Sequence, residues 1–379
     1  MTQIRSVRSA FPAHRYPQDE LTMKMADLAR LSPAQRGVLQ RFHRNAGVDA
    51  RHTALPLAEY EALNGIESSN DRYIEEATAL GERALRDALA AAGLTAQDVD
   101  LLIVTSVTGV AVPSLDARLI PRLGLRPDVK RLPVFGLGCV AGAAALSRLH
   151  DYLLGWPGHV AALLAVELCS LAVPRTGLTT ADLVVSGLFG DGAVAVIATG
   201  SEGVPGSPGP RPSPAPHISP APHLGSPGSP RSHPRILATR SEVYPDSGDA
   251  LGWRLGSDGF RIVLTTELAD VVERRLNESV TAFLAGHGLT IDDIGTWVCH
   301  PGGPKVIDAV RDSLKLPESA VTASRRSLAE VGNLSSASVL HVLELVCEAG
   351  MRSESFGVMV GLGPGVSAEL VLLRWPEPR

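Results

Sequence analysis

The sequence predicts an α/β protein built from two similar halves, each running helix, strand, helix, strand, helix. Of the 379 residues, 45% are hydrophobic, 20% charged and only 4% aromatic, so the chain can bury a large core made mainly of aliphatic side chains. Motifs recur at a nearly constant offset along the chain, and both halves finish with a glycine turn into a strand, at Gly190 and Gly363. The high share of hydrophobic residues excludes a disordered chain.

The repeat begins at two Gly-Leu-Thr motifs. Gly93-Leu-Thr-Ala-Gln-Asp and Gly288-Leu-Thr-Ile-Asp-Asp lie 195 residues apart. Each follows a segment in which apolar residues recur at a spacing near 3.6, which predicts an amphipathic helix, and each leads into a short strand-like run. Gly138-Cys139 and Gly332-Asn333 then open two further helices at an offset of 194 residues. The two offsets agree, which favours a duplication over chance similarity.

The predicted halves span residues 1–202 and 236–379, with a proline-rich segment between them. Residues 203–235 hold 11 of the 28 prolines and no acidic residue. Such a composition cannot supply a core, so we predict a flexible surface insertion; a ligand for a proline-binding domain is the less favoured alternative. The two halves would stack as helices enclosing two sheets, the five-layer architecture of the thiolase fold.

The net charge and the positions of the cysteines argue against several classes of protein. The net charge of −5 comes from 35 basic and 40 acidic residues without a basic block, which argues against nucleic-acid binding. The four cysteines are far apart and form no CxxC pair, which argues against a zinc site or a disulfide scaffold and fits a reducing cytosol. No apolar stretch approaches the roughly 20 residues of a membrane span, so we expect a cytoplasmic protein.

Cys139 is the candidate nucleophile. It lies between Val134-Phe-Gly-Leu-Gly and an alanine-rich helix, so its sulfur is expected near a helix N-terminus, where the helix dipole favours a thiolate. An isolated cysteine is more often simply a small buried residue. The neighbours Gly138, Ala141 and Gly142 nevertheless indicate that something approaches the sulfur closely.

Two further residues complete a candidate acyl-transfer site. His300 ends a predicted strand and is followed by Pro301-Gly-Gly-Pro, a rigid turn that would fix the imidazole. Asn333 takes the place in the second half that Cys139 takes in the first, although an N-cap is its ordinary interpretation. One nucleophile, one acid or base and one amide donor suit acyl transfer through a thioester.

Five motifs in order resemble the type III polyketide synthases, the chalcone and stilbene synthase superfamily. They are GLRPDVKRLPVFGLGCVAG around Cys139, SGLFGDGAVAV around Phe189, HPGGPKVIDAV from His300, GNLSSASVL from Gly332 and GLGPGVSAELVLL from Gly361. The likeness covers nearly the whole chain outside residues 203–235. It implies a homodimer of the thiolase fold with a catalytic triad of Cys139, His300 and Asn333, and no metal, flavin or nicotinamide cofactor.

The resemblance also implies a mechanism. Cys139 would take the acyl group of a starter acyl-CoA, with His300 as an imidazolium that lowers the pKa of the thiol. His300 and Asn333 would then stabilise the enolate formed when malonyl-CoA loses CO2, and the enolate carbon would attack the acyl-cysteine. Repetition would lengthen the chain before it cyclises to a pyrone or resorcinol.

Further residues are assigned to substrate contacts by the same resemblance. Phe189 and Phe260 match the phenylalanines that separate the CoA tunnel from the cavity. Arg41 and Arg44 match basic contacts to the CoA phosphates, whereas the third basic position of that pattern is Val48 here.

The side chains at two positions predict the character of the substrate cavity. Val107 and Ala172 stand where the plant enzymes carry threonines, so we expect an apolar cavity and fatty acyl starters, as in bacterial alkylresorcinol and alkylpyrone synthases.

The alternative function is that of a chain-initiating ketoacyl-ACP synthase, whose sequence after the histidine and the asparagine differs from the one found here. A catalytically silent thiolase-like subunit is a third possibility, against which the intact triad counts.

Overall fold

The structure is a computed structural model, and it describes residues 1–174, 177–203, 233–248, 251–256, 259–264, 267–350 and 354–376. Most of the predicted proline-rich insertion, residues 204–232, lies outside the described residues. The division of the chain at residues 202 and 236 therefore stays a prediction. Over the described ranges, no helix has the length and apolar character that crossing a membrane requires.

The described residues form thirteen strands and eleven α-helices. The strands are β1 (Thr2–Ala10), β2 (His14–Pro17), β3 (Ala50–Thr53), β4 (Leu101–Thr105), β5 (Lys130–Val134), β6 (Val160–Leu168), β7 (Asp191–Thr199), β8 (Arg235–Val243), β9 (Leu251–Gly256), β10 (Gly259–Leu264), β11 (Ile294–Cys299), β12 (Phe356–Gly363) and β13 (Ser367–Arg374). The α-helices are α1 (Gln18–Leu28), α2 (Pro33–Arg44), α3 (Gly65–Ala92), α4 (Leu115–Leu123), α5 (Ala141–Gly155), α6 (Cys169–Ala172), α7 (Thr180–Val185), α8 (Glu267–Ala285), α9 (Pro304–Ser313), α10 (Thr322–Val331) and α11 (Ser338–Ala349).

The main sheet has the strand order β11-β12-β13-β8-β1-β7-β6-β4-β5. It consists of one set of strands from each half, and the two sets meet where Thr2 and Gln3 pair with Ile236 and Arg235. In each set a parallel pair, β4-β6 or β11-β12, is followed by two antiparallel pairs that end at β1 or β8. The duplicated strand order confirms the predicted repeat.

Three layers of helices enclose the two sets of strands. The buried helices α5 and α11 lie between the sets, where Leu146 and Leu149 share one core with Leu340 and Leu343. Helices α3 and α4 cover the outer face of the first set, and α8 and α9 cover that of the second. The five alternating layers confirm the predicted thiolase fold.

The repeated Gly-Leu-Thr motifs have the same structure in both halves. Gly93 and Gly288, which follow α3 and α8, have φ angles of +68° and +70°, the left-handed conformation that glycine adopts without strain. The threonine two residues later exchanges hydrogen bonds with an aspartate three residues further on, so that a capping box opens a short 3₁₀ turn before the strand.

Glycines beside Cys139 serve the contact between the halves. A Cβ atom at Gly142 would lie 2.0 Å from the carbonyl oxygen of Ser336, and one at Gly138 would lie 2.4 Å from the ring of Pro364. The sequence indicated that something approaches the sulfur closely at these small residues. The structure shows that they make room for the second half of the chain.

We expect Gly142→Ala to lower the free energy of unfolding by about 1–3 kcal/mol, because the added methyl group overpacks a buried contact. Gly155→Ala at the other end of α5 is the matched control, since a Cβ there meets nothing within 4 Å. Urea unfolding of both variants measures the difference. Equal stability would show that α5 and the Ser336 turn can separate at little cost.

Candidate active site

Cys139 lies in a 3₁₀ turn, Gly138–Val140, that continues directly into α5. Its side chain is buried, and Sγ lies 3.6 Å from Oγ of Ser335 in the equivalent turn of the second half, Ser335–Ala337. The sulfur belongs to an apolar cluster with Cys169, Phe189 and other side chains. The nucleophile predicted from the sequence therefore sits where the two halves meet.

Burial shifts the pKa values of Cys139 and His300 away from those of the free side chains. Loss of solvation and, less strongly, the charge of Glu167 raise the pKa of the Cys139 thiol to about 12, although the hydrogen bond with Ser335 lowers it. Burial likewise lowers the pKa of His300 to about 4. Burial thus opposes both charges of the thiolate–imidazolium pair that the sequence predicts, and that pair stays a prediction. A neutral imidazole is able to accept the thiol proton as a general base.

His300 follows β11 directly. Its backbone N–H donates to the carbonyl of Val360 at 2.9 Å, and its carbonyl accepts from the N–H of Gly302 at 3.0 Å. The ring is buried, and its Nδ1 has no hydrogen-bond partner among the described residues. Nδ1 of His300 is therefore not engaged in a hydrogen bond within the described part of the protein.

Asn333 precedes the turn that carries Ser335. Its Nδ2 donates to the carbonyl of Gly302 at 3.3 Å, while Oδ1 accepts from the N–H of Ser335 at 2.9 Å and from Oγ of Ser338 at 3.0 Å. The amide is therefore fixed between the His300 turn and the turn that contacts Cys139. A continuous set of short contacts brings the three triad residues into one site.

Phe189 is held beside this amide by its backbone. The N–H of Asn333 donates to the Leu188 carbonyl at 2.7 Å, and the N–H of Gly190 donates to the Asn333 carbonyl at 3.0 Å. The Phe189 carbonyl also accepts a 2.6 Å hydrogen bond from the buried guanidinium of Arg51. The position of the Phe189 ring is thus tied to that of Asn333.

Phe260 lies on the β9-β10 hairpin, one ring away from Phe189. Trp253 stands between them, with ring centroids 6.1 Å from Phe189 and 6.5 Å from Phe260. Phe260 and Ala172 line one small cavity of about 20 Å³ together with Thr108. The sequence analysis missed Trp253 as a wall of the site, although the Gly-Ser-Asp-Gly sequence at 256–259 is a turn signal that could have predicted the hairpin.

Glu167 is a second residue that the sequence analysis missed. It is fully buried in β6 and accepts hydrogen bonds from the Val107 N–H at 3.0 Å, from Thr108 Oγ1 at 2.9 Å, and from Ser106 and Ser336. Burial raises the pKa of this carboxyl. The sequence does indicate that this residue is unusual, because Glu167 is the one charged residue in the otherwise apolar strand β6. Val107 contributes its backbone to this network.

Arg41 and Arg44 lie exposed on α2. Arg44 borders an open cleft of about 550 Å³, also lined by His43 and Val48. Val48 is buried against Ile307 and its neighbours, which explains an apolar residue at that position. His43 connects α2 to the Phe189 segment through a 3.1 Å contact between Nε2 and Ser186 Oγ.

Comparison with known proteins agrees with the geometry. The family profile "Chalcone and stilbene synthases, N-terminal domain" matches residues 9–202, and the corresponding C-terminal domain matches residues 235–375. The fold and the family match define a condensing enzyme of the acyltransferase class. The chain belongs to the chalcone and stilbene synthase family and is a type III polyketide synthase.

Individual relatives are similar over nearly their full length. A 1,3,6,8-tetrahydroxynaphthalene synthase of Streptomyces peucetius subsp. caesius is 51% identical over 375 residues, covering 99% of this chain and 93% of that protein. A 3,5-dihydroxyphenylacetyl-CoA synthase of Amycolatopsis balhimycina is 32% identical and covers 99% and 93%. The crystal structure of the tetrahydroxynaphthalene synthase of Streptomyces coelicolor A3(2), a type III polyketide synthase, superposes with a TM-score of 0.86 at 28% identity, covering 99% and 100%.

Proposed function

We propose that this polyketide synthase builds an aromatic product of the tetrahydroxynaphthalene class from malonyl-CoA. The observation that carries the proposal is the 51% identity to a synthase of that name over nearly the whole chain. A naphthalene skeleton has ten carbons, which equal five two-carbon units. The starter would then be as small as the extender, in place of the fatty acyl group suggested by the sequence.

The site supplies a balanced route for each condensation. The Cys139 thiol passes its proton to His300, the sulfur attacks the starter thioester, and the departing CoA sulfur takes the proton. Malonyl-CoA then loses CO2, and the electron pair of the broken C–C bond becomes an enolate. The Asn333 amide and a ring N–H of His300 stabilise its oxygen. The enolate carbon attacks the acyl carbonyl and displaces the Cys139 thiolate.

A fatty acyl starter closing to a pyrone or resorcinol is the second candidate. Val107 and Ala172 favour it, because neither supplies a hydroxyl group to orient a polar starter. A cavity of about 90 Å³, which reaches Phe189 and Cys169 and is bordered by Leu21 and other side chains of α1, adds apolar space beside the site.

Mass spectrometry of the products separates the two candidates. Purified protein receives malonyl-CoA alone, or malonyl-CoA with acyl-CoAs of two to twelve carbons. We expect malonyl-CoA alone to give tetrahydroxynaphthalene or its oxidation products. No product from malonyl-CoA alone, together with alkylpyrones or alkylresorcinols from the longer starters, would replace the first candidate by the second.

The arginines of α2 are proposed to bind the CoA phosphates. We expect Arg41→Ala combined with Arg44→Ala to raise KM for malonyl-CoA about tenfold with little change in kcat, because a charged hydrogen bond contributes about 1.5–3 kcal/mol and exposure reduces it. Arg148→Ala, at an exposed arginine of α5, is the control. An unchanged KM at low salt would contradict this assignment.

A homodimer is proposed from the edge of the main sheet. Strand β5 forms that edge, and Leu132, Phe135 and Leu137 on or just after it are exposed, as are Val110 and Val112. Exposed apolar side chains beside a free strand edge favour pairing with a second copy. Light scattering coupled to gel filtration would show a mass of twice 39.8 kDa; a monomer at micromolar concentration would contradict the proposal.

A further inference from the structure

Residues 187–190 connect the backbone of Asn333 to two buried side chains of the N-terminal region. The N–H of Asn333 donates to the Leu188 carbonyl at 2.7 Å, and its carbonyl accepts from the N–H of Gly190 at 3.0 Å. These bonds pair Phe189 with Asn333 as an isolated parallel bridge. The backbone that carries the Asn333 amide is therefore set by the position of this segment.

Two side chains, Gln18 and Arg51, hold carbonyls of the same segment. Gln18, the first residue of α1, donates from Nε2 to the Gly187 carbonyl at 2.7 Å, and Arg51 of β3 donates from Nη1 to the Phe189 carbonyl at 2.6 Å. Nε of Arg51 also donates to Oε1 of Gln18 at 3.0 Å, and both side chains are buried. The two joined residues are called the carbonyl clamp below.

Arg51 also packs against the residue that precedes Asn333. Gly332 has a φ angle of +76°, and a Cβ atom there would lie 2.7 Å from the Leu188 carbonyl oxygen and 3.0 Å from Cδ of Arg51. The backbone at Gly332 thus lies directly against the aliphatic part of Arg51, without room for a side chain between them. Arg51 therefore contacts both strands of the Phe189–Asn333 bridge.

The charge of Arg51 strengthens the carbonyl clamp. Burial lowers the pKa of Arg51 to about 10, while the charge of Asp191 raises it, so the guanidinium is charged at neutral pH. Hydrogen bonds from a charged donor are stronger than those between neutral groups. A buried polar group that loses its partner is costly. The carbonyl clamp therefore resists displacement of residues 187–190.

We propose that Gln18 and Arg51 are positioning residues for the Asn333 amide, and so for the decarboxylation of malonyl-CoA. The inference rests on the proposed function, in which that amide stabilises the enolate. Ser335 and Ser338 orient the amide through its Oδ1, whereas the carbonyl clamp places the backbone that carries it. Because a displacement of about 1 Å at a catalytic group can cost about 10²-fold in rate, loosening the clamp slows decarboxylation although neither residue touches the reacting atoms.

Gln18→Met tests the inference, because methionine fills a similar volume but makes neither hydrogen bond. We expect kcat for CO2 release from malonyl-CoA to fall about tenfold, with KM and the acyl loading of Cys139 within about twofold of wild type. Gln3→Met is the matched control. Gln3 also donates to a backbone carbonyl, that of His233 at 3.0 Å, and accepts from Nε of Arg235 at 3.1 Å, where the two sets of strands meet. Its replacement should leave all three quantities unchanged.

The Asn333→Asp background separates positioning from general damage. The aspartate lacks the NH2 group that the carbonyl clamp positions, so Gln18→Met should slow decarboxylation no further there. A loss of the same size in both backgrounds would overturn the inference. So would a parallel loss of decarboxylation and loading in Gln18→Met alone, or a decarboxylation rate within twofold of wild type.

Should Gln18→Met not fold, as urea unfolding would show, Arg51→Lys decides instead. Lysine keeps the charge but lacks the planar fork that binds Gln18 and Phe189 together, so decarboxylation should fall at least about fivefold while loading persists. Arg235→Lys is the control, and equal decarboxylation rates in these two variants would contradict the inference. Failure of the proposed function would show separately, as a wild-type decarboxylation rate in Asn333→Asp itself.

Discussion

Cys139→Ala is expected to abolish both acyl loading and condensation while leaving the fold intact. Removing one buried sulfur opens a small cavity, so the free energy of unfolding should change by only about 1 kcal/mol. The contact that is lost, 3.6 Å between Sγ of Cys139 and Oγ of Ser335, is weak. Intact mass after incubation with acyl-CoA measures loading, and urea unfolding measures stability.

Cys347→Ala is the matched control for this variant. Cys347 is also buried, but it lies in α11 within the central core, so its replacement should leave loading unchanged. A remaining acyl-enzyme in Cys139→Ala would mean that another group is the nucleophile. Peptide mapping would then locate the adduct, with Cys169 of the same cluster as the first site to inspect.

Asn333→Asp is expected to slow malonyl-CoA decarboxylation by about 10²–10³-fold, the usual effect of losing one donor to a developing oxyanion. The aspartate keeps the oxygen that accepts from Ser335 and Ser338 but lacks the NH2 group. It also places a carboxylate beside the enolate that it should stabilise. Release of CO2 from malonyl-CoA measures the effect, and acyl loading should fall far less.

Ser338→Ala provides the comparison for the asparagine variant. It removes one hydrogen bond that orients the Asn333 amide and leaves the NH2 group in place. We expect a smaller loss of decarboxylation than in Asn333→Asp. Decarboxylation at the wild-type rate in Asn333→Asp would show that this amide does not stabilise the enolate.

The fold was largely predictable because its signals are local and repeated. Gly93 and Gly288 require the same left-handed backbone, and the residues after them form the same capping box. The predicted match of Cys139 with Asn333 is wrong by three residues, because Cys139 lies in the middle of its 3₁₀ turn, where Ser336 lies in the equivalent turn, and Asn333 precedes that turn. The order of the strands could be expected from the duplication, but their number could not, because β5 has no counterpart among the described strands of the second half.

The sequence predicts candidate reactive residues but not their surroundings. Glu167 and Trp253 act through contacts with residues far away in sequence, and such contacts depend on the assembled fold. The effect of burial on the pKa of Cys139 was not predicted for the same reason. A helix N-terminus favours a thiolate, but the depth of burial, which no local pattern reports, outweighs it.

The shared middle layer bears on the ancestry of such a chain. Because α5 and α11 bury their apolar faces against each other and against both sets of strands, a single half would leave that face open to water. An ancestral half-length polypeptide would have needed a second copy to close it, in a two-fold symmetric pair. In that pair both central turns would have been identical. In the present chain they differ, because Cys139 lies within the first turn whereas Asn333 lies two residues before the second, Ser335–Ala337. The two halves therefore contribute different groups to the site.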